Sequence, residues 1–347
     1  MPSADGAGQG SRLRRLAAAL LIGAMAYAAT GSSAAPPDYD PRIDLTITPL
    51  PVGSVGDIGP FAISGAWHLT SPNPRLHGLS GLDVLPGHRL LAAMDGGDWM
   101  TISEPRLGKA AEWPDVPNGQ VAGASRQKGL IYDAEAAIAG AHGERWFALE
   151  NVNGFTRFDR DNEKTASRLV RPLAMARWPT NRGPEAAAQL RDGRIVAIAE
   201  TLEDGGWQPA LLFPGDPVDG GDPVRFHVAM PDDTRAVGLA ALPDGRLLLL
   251  GRAFVPPLGF ATSIAAIDPA KAVAGVRLRA VLLARLDLGD LQDNFEGIAV
   301  RPEVGGRLAI WLVSDSNRAA FLQRSLLLKL ETETGALRLA ADARKPE

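Results

Sequence analysis

Short apolar runs separated by tight turns recur five times along this 347-residue chain. Each copy contains a short apolar strand, a turn that is Asp-Gly in two copies, and a longer apolar strand, a pattern typical of a β-hairpin. The copies align on Gly81, Glu135, Glu185, Gly238 and Glu296, and successive anchors lie 50–58 residues apart. A repeat of roughly this length is typical of β-propeller blades, whereas helical repeats would need amphipathic runs that the chain lacks beyond its N-terminus.

Weaker strand patterns complete the predicted blades. The third strands are predicted at Phe155–Asp159, Ala210–Phe213, Ser263–Ile267 and Ser325–Leu330. Two N-terminal strands, Ile43–Leu50 and Phe61–Leu69, are predicted to pair with the region Ala336–Ala340 and close the ring, which removes exposed sheet edges. We therefore predict an all-β fold, a single-domain β-propeller in which six blades are favoured and five are possible.

The N-terminus has the order of a secretory signal peptide. A basic stretch at 11–15 precedes an apolar stretch at 16–29 and small residues at 30–35. The apolar stretch is short for a bilayer span, although a single membrane anchor is the alternative interpretation. We predict a signal peptide at 1–35, an N-terminal lead-in at 36–60 and the propeller domain at 61–340. The mature protein is then periplasmic or secreted, without stable membrane insertion.

Composition and charge exclude several classes of function. Hydrophobic residues make up 46% and charged residues 22%, as in folded globular proteins, and 38 Gly with 27 Pro suit many short strands joined by turns. The absence of cysteine excludes disulfides, thiol nucleophiles and zinc–thiolate sites. The net charge of −4 and the lack of basic runs argue against nucleic acid. We expect a monomer that acts on a small molecule.

Several short sequence motifs, spaced along the chain, resemble those of one family. These motifs are Gly78-Leu79-Ser80-Gly81-Leu82-Asp83, Asp95-Gly96-Gly97-Asp98-Trp99, Asn181-Arg182-Gly183-Pro184-Glu185-Ala186, Asn294-Phe295-Glu296-Gly297-Ile298 and Ser314-Asp315-Ser316-Asn317. Over about residues 60–331 the chain is similar to the phytase-like domain family, the "esterase-like activity of phytase" proteins. The resemblance implies an exported β-propeller with a hydrolase label that comes from similarity to phytases.

The repeat also predicts where acidic side chains meet. The start of an innermost strand and the end of its antiparallel neighbour lie on the same face, about 4.8 Å apart. This places Glu135 with Glu150, Glu185 with Glu200 and Glu296 with Asp315. Asp95 ends the hairpin of the first repeat, whereas Arg252 replaces the acid in the fourth. The predicted metal ligands on this face are Asp95, Glu135, Glu150, Glu185, Glu200, Glu296 and Asp315.

Crowded carboxylates need cations, protons or basic partners, and hard oxygen ligands suit Ca²⁺. Ca²⁺ here would bind a phosphate, polarise its ester bond and supply the attacking water. The candidate catalytic residues are Glu185, Glu296 and Arg252. The candidate substrate-binding residues, which would clamp phosphate oxygens, are Arg182, Arg252, Arg318 and Arg324. In the alternative interpretation, the acids cap backbone N–H groups and pair with arginines.

Two functions from different classes remain open. One is an exported, Ca²⁺-assisted hydrolase of a phosphoester or other ester, and the other is a non-catalytic propeller that binds a ligand or protein partner through its acidic face. A serine esterase is not supported because no G-x-S-x-G motif occurs. Trp99, Trp113, Trp178 and Trp207 would either line a sugar or aromatic site or pack between blades.

Overall fold

The fold is an all-β propeller of five blades. The structure is a computed structural model, and it describes residues 40–122, 130–159, 168–231, 233–256, 259–316 and 323–337. These residues form 23 strands in five sheets. No α-helix occurs within these ranges, and the helical turns are short 3₁₀ segments at Leu173–Met175, Pro269–Lys271, Gly289–Leu291, Val304–Gly306 and Thr334–Ala336.

Blades 1 to 4 follow one another along the chain, and each starts with its innermost strand. Blade 1 contains β3 (Leu79–Leu85), β4 (Arg89–Met94), β5 (Asp98–Ser103) and β7 (Asn118–Gln120). Blade 2 contains β8 (Ala134–Ala139), β9 (Arg145–Leu149), β10 (Gly154–Phe158) and β11 (Arg168–Val170). Blade 3 contains β12 (Pro184–Gln189), β13 (Ile195–Ala199), β14 (Gln208–Phe213), β15 (Val224–Ala229) and a parallel edge strand, β19 (Arg277–Arg279). Blade 4 contains β16 (Arg235–Ala241), β17 (Leu247–Val255), β18 (Gly259–Ile267) and β20 (Val281–Leu286).

Blade 5 joins the two ends of the domain. From the centre outward it contains β21 (Phe295–Pro302), β22 (Arg307–Ser314), β23 (Leu326–Glu333), β2 (Ala62–Thr70), β1 (Leu45–Pro49) and β6 (Ala111–Trp113). The N-terminal β2 pairs antiparallel with β23, from Ala62 opposite Glu331 to His68 opposite Leu326. This pairing closes the ring and leaves neither of these strands as a free edge.

The closure corrects two predictions. Six blades were favoured, but the N-terminal strands extend the last sheet rather than form a blade of their own, so the described residues make five. The partner of β2 is β23 and not the region Ala336–Ala340, because Thr334–Ala336 is already a 3₁₀ turn; residues 338–340 lie outside the described ranges. The four predicted third strands are confirmed as β10, β14, β18 and β23.

The N-terminal predictions stay predictions. The signal peptide at 1–35 and the start of the lead-in lie outside the described residues, and β1 falls within the predicted lead-in. Within the described ranges, no helix has the length and apolar character needed to cross a membrane.

The five innermost strands share a β-bulge at their start. In each blade one residue of the inner strand has no partner on the second strand; these residues are Ser80, Glu135, Glu185, Val237 and Glu296. A bulge bends the strand and re-aims the side chain of the extra residue. The sequence alignment had placed Gly81 and Gly238 level with the three glutamates. That register is wrong by one residue, and Ser80 and Val237 are the true equivalents.

The residue after each bulge is glycine or alanine because neighbouring inner strands approach backbone to backbone. A Cβ added at Gly81 would lie 2.6 Å from the amide nitrogen of Ala137 in the next blade, and one at Gly238 would lie 2.5 Å from the carbonyl oxygen of Glu296. Both distances are too short for a side chain. The inner ring is therefore narrow, and the side chains of the bulged residues surround its mouth.

Aromatic side chains fill the spaces between blades. Trp99 of blade 1 stacks on Phe147 of blade 2 with ring centroids 6.5 Å apart, and Phe155 of blade 2 meets Phe213 of blade 3 edge to face. Trp178 is also buried, between blades 2 and 3. For Trp99 and Trp178 the packing interpretation is therefore the one that the structure supports.

Candidate functional site

One face of the ring collects the bulged side chains, the acids that follow the second strands, and Arg252, which holds the equivalent place inside the longer β17. The second-strand residues are Asp95, Glu150, Glu200, Arg252 and Asp315. Backbone hydrogen bonds fix the four acids among them: for example, the N–H of Asp95 donates to Gly78 O at 2.9 Å, and that of Glu150 donates to Asp133 O at 2.8 Å. We call these residues, together with Glu135, Glu185 and Glu296, the acidic face.

Five carboxyl groups of this face, together with that of Asp133, form two groups of three. Triad A is Asp95, Asp133 and Glu135, and triad B is Glu150, Glu185 and Glu200. In each triad, one carboxylate oxygen per residue lies within 4.8 Å of the others. Two oxygens that bind the same Ca²⁺ at about 2.4 Å are at most about 4.8 Å apart, so each triad is compact enough to hold one cation.

The triads join neighbouring blades. Triad A combines Asp95 of blade 1 with Asp133 and Glu135 of blade 2, and triad B combines Glu150 of blade 2 with Glu185 and Glu200 of blade 3. The predicted pairing of Glu185 with Glu200 within one blade occurs. Glu135, however, is grouped with the acid of the preceding blade rather than with Glu150. The inner ring brings each inner strand beside the hairpin end of the blade before it, which no single repeat reveals.

Burial and mutual repulsion favour the protonated forms of these acids. Glu135, Glu150 and Glu185 are each 8% exposed or less. Burial, and then the charge of Glu185, raise the pKa of Glu150 to about 9; burial, and then the charge of Glu200, raise the pKa of Glu185 to about 8. Burial also raises the pKa of Glu135 well above its usual value, and a hydrogen bond joins the carboxyls of Glu135 and Glu185. Such a bond requires a shared proton, which a bound cation would replace.

These raised pKa values predict a pH dependence for the metal-free protein. The unfolded chain releases the two protons near pH 4.5, whereas the folded chain keeps them up to about pH 8 for Glu185 and about pH 9 for Glu150. Stability is therefore highest at low pH and falls as pH rises through these values, by about 1.4 kcal/mol per pH unit for each group that stays protonated. Thermal unfolding in EDTA between pH 5 and pH 9 measures this, and a Tm that rises with pH would contradict it.

Arg252 adds a positive charge to the acidic face. Its guanidinium forms an ion pair with Glu296 of blade 5 and lies 3.3 Å from Glu200 of triad B. The Asn294 side chain donates to Glu296 Oε1 at 2.8 Å and accepts from Arg252 at 3.3 Å. Glu296 is thus neutralised by an arginine, and it differs in this from Glu135 and Glu185 at the equivalent bulges.

The other predicted site residues that the structure describes lie outside the two triads. Asp315 of blade 5 contacts the Asn294 amide at 3.4 Å and lies outside the two triads, although its charge helps to raise the pKa of Asp95 after burial. Arg324 pairs with Asp293 at 3.3 Å. Arg182 is exposed and makes no side-chain hydrogen bond or ion pair with the residues that the structure describes. Arg318 lies outside the described residues.

Three residues of the site were not predicted from the sequence. Asp133 completes triad A, Asn294 connects Glu296 with Arg252, and Ser80 Oγ donates to the carbonyl oxygen of Ala134 across the blade boundary at 2.5 Å. Asp133 and Asn294 each stand two residues before a bulged glutamate. That shared spacing is the signal that could have found them.

The donor set fits a hard divalent cation. All six triad side chains offer carboxylate oxygens, and Oδ1 of Asp95 is buried without a hydrogen-bond partner. Ca²⁺ takes such oxygen ligands, and waters complete its shell of six to eight. The solvent-accessible volume of the central cavity beneath the face is about 10 Å³. This volume is enough for about one water molecule. A substrate must therefore bind above the ring rather than within it.

Solved structures match most of the chain at low sequence identity. An α-L-arabinofuranosidase from Podospora anserina is 12% identical, with 80% of this chain and 98% of that chain covered and a TM-score of 0.46. The PQQ-bound aldose sugar dehydrogenase from Streptomyces coelicolor is 15% identical, with 80% and 100% covered and a TM-score of 0.42. A virginiamycin B lyase variant from Staphylococcus aureus is 13% identical, with 78% of both chains covered and a TM-score of 0.38.

The sequence comparison with families is more specific. No curated protein matches the chain. A family model with the description "Phytase-like: Esterase-like activity of phytase" matches residues 74–318, which contain all five inner strands and every residue of the two triads. The match covers well over half of the chain and agrees with the repeat, the closed ring and the sequence motifs quoted above. The chain therefore belongs to the phytase-like, esterase-like-activity-of-phytase family of β-propellers.

Proposed function

We propose that this propeller is a metal-dependent ester hydrolase whose acidic face holds divalent cations, with Ca²⁺ as the first candidate. The observation that carries the proposal is the pair of compact carboxylate triads at the mouth of the ring. Five of their six members come from bulged positions or second-strand ends, so the fold itself aims them at one place. The family description, which combines esterase-like activity with phytase, supports this reading.

In this proposal the triads hold the cations, Asp95, Asp133 and Glu135 in one and Glu150, Glu185 and Glu200 in the other. A bound Ca²⁺ supplies Lewis-acid polarisation of a phosphoryl or carbonyl oxygen and an acidified water. The protein fixes the ligands through buried backbone, which keeps the carboxylates in place when substrate arrives.

Arg252 is proposed to orient the substrate. It contacts Glu200 of triad B on one side and Glu296 on the other, so it marks the boundary between the cation sites and the rest of the face. An anionic substrate group at this boundary meets both a cation and a guanidinium. Glu296 and Asn294 hold the guanidinium in its orientation. Arg324 and Arg182 lie farther out and would act only on a larger substrate.

Location and assembly belong to the same proposal. The basic and apolar N-terminal residues support export to the periplasm or the medium, where a chain without cysteine needs no disulfide. We propose that the mature protein acts there as a monomer on a small ester.

The test is hydrolysis of p-nitrophenyl phosphate and p-nitrophenyl acetate by the mature chain. Activity on at least one of them should fall about 100-fold or more in EDTA and return when Ca²⁺ is added back, because the metal supplies several kcal/mol of transition-state stabilisation. Titration calorimetry of Ca²⁺ against the chelated protein should show binding. Asp192→Asn is a matched control, because Asp192 is an exposed acid in a turn on the opposite face.

Three results would overturn the proposal in different ways. Hydrolysis that is unaffected by chelation would exclude metal dependence. Absence of Ca²⁺ binding would exclude the cation sites. Ca²⁺ binding without hydrolysis of either ester would favour the second function, a propeller that binds a ligand or protein partner through the acidic face.

A further inference from the structure

A groove lies beside the acidic face on blade 4. It has a volume of about 520 Å³, which falls within the usual range for small-molecule sites. Its lining includes the apolar side chains of Phe254, Val255 and Phe260 and the polar side chains of Thr262 and Gln292. All of these residues belong to the described chain.

The apolar part of the lining exists because the blade 4 hairpin is longer than the equivalent hairpins of blades 2 and 3. β17 and β18 have nine residues each, whereas β9 and β13 have five. Their pairing continues beyond Arg252 as far as Val255, which lies opposite Gly259. Beyond Arg252, Phe254 and Phe260 stack edge to face at 5.8 Å, and Phe254 is 46% exposed. An aromatic pair left this open to water is typical of a binding site rather than of a core.

The groove and the acidic face share two chain segments. On β17, Arg252 contacts Glu200 and Glu296, and the next residues line the groove. On the segment before β21, Gln292 donates to Thr262 Oγ1 in the groove wall at 2.8 Å, and Asn294 contacts Glu296 and Arg252 in the acidic face. A molecule whose anionic group lies at Arg252 can therefore extend an apolar arm directly into the groove.

We propose that this groove binds an aryl-sized apolar arm of the ester whose polar end is held at the acidic face, an inference that rests on the proposed function. The substrate class is then a monoester with one aromatic or similarly large apolar group. A polyphosphorylated substrate fits poorly, because exposed Asp233 and Asp287 line the groove with a single arginine, Arg285. The groove therefore offers no surplus of positive charge to a second phosphate.

The experiment compares two non-hydrolysable probes, phenylphosphonate and methylphosphonate, by titration calorimetry against the mature protein in Ca²⁺. The wild-type protein should bind phenylphosphonate about tenfold more tightly, since the ring buries apolar surface that the methyl group lacks. Phe254→Ala, and separately Ala261→Phe, which fills the groove, should reduce this ratio to about threefold or less. Val304→Ala, at a 90% exposed residue in the turn between β21 and β22, is the control and should keep the ratio.

The outcomes test the groove proposal and the proposed function separately. Equal binding of the two probes by the wild type, or a tenfold ratio that survives in both groove variants, overturns the groove and leaves the proposed function standing. If neither probe binds in Ca²⁺, the groove assignment fails, and the hydrolysis and Ca²⁺-binding tests described above decide whether the proposed function fails with it. Circular dichroism of the variants shows that any lost ratio comes from a folded protein.

Discussion

Glu185→Gln is expected to reduce the response to Ca²⁺ to that of triad A alone and to lower hydrolysis about 100-fold or more, while it stabilises the metal-free protein at pH 8. Glu185 is the most enclosed acid of triad B and also meets Glu135 of triad A. An amide cannot ligate Ca²⁺ as a charged carboxylate does, so the cation loses a central ligand. The amide also needs no proton at high pH, whereas burial and the charge of Glu200 raise the pKa of Glu185 to about 8.

The two effects have opposite signs, which makes the test sharp. At pH 8 in EDTA the variant should be more stable than the wild type by about 4–5 kcal/mol, because the folded wild type keeps a proton at Glu185 up to about pH 8, whereas its unfolded chain releases it near pH 4.5. At pH 5 this difference should shrink. Adding Ca²⁺ should raise the Tm of the wild type more than that of the variant, in which only triad A is intact. A general loss of fold would lower Tm under all conditions, and a variant that gains as much stability from Ca²⁺ as the wild type would show that triad B is not a cation site.

Arg252→Met is expected to destabilise the protein by about 3–5 kcal/mol, the cost of leaving a buried ionised group without its partner. Glu296 is 5% exposed and loses its guanidinium, and Glu200 loses a neighbour at 3.3 Å. Urea unfolding at pH 7.5 measures the change. Arg194→Met is the matched control: Arg194 pairs with Asp192 in an exposed turn, and its loss should cost at most about 1 kcal/mol.

A second substitution identifies the cause of the Arg252 effect. If the loss comes from an unpaired carboxylate, Arg252→Met combined with Glu296→Gln should recover part of the stability, since the buried charge is then gone. Two results would show that the ion pair is not the reason why blade 4 carries an arginine at this place. One is a double variant whose loss of stability equals the sum of the losses in the two single variants, and the other is an Arg252→Met variant whose free energy of unfolding lies within about 1 kcal/mol of the wild type.

The sequence predicted the hairpins because their signals are local. Apolar alternation and Asp-Gly turns depend on neighbouring residues only, so β12 with β13 and β16 with β17 could be recognised one repeat at a time. The blade count depends on which sheet the N-terminal strands join. That choice is a contact between residues about 260 positions apart, for example Ala62 and Glu331, and no local pattern contains it.

In the candidate site, too, the local features could be predicted from the sequence and the long-range contacts could not. The acids were found because they end apolar runs, but their grouping was only partly foreseen. Glu135 lies with Asp95 because two blades pack together, and this packing is invisible within one repeat. The one-residue error at Ser80 and Val237 came from the bulge, since an alignment of apolar positions has no means of counting a residue that the partner strand does not match.

The pairing of β2 with β23 also has a consequence for how the chain is made. Among the described strands, β2 is one of the first to be synthesised and its closing partner, β23, is the last. Until β23 arrives, the ring is open and the facing edge of β2 is bare. Contacts of such long sequence separation form slowly, because the intervening loop must be closed before they contribute. A chain that stops before Leu326 is therefore an incomplete ring with two unpaired strand edges, and the pairing of β23 with β2 is the step that commits this protein to its native state.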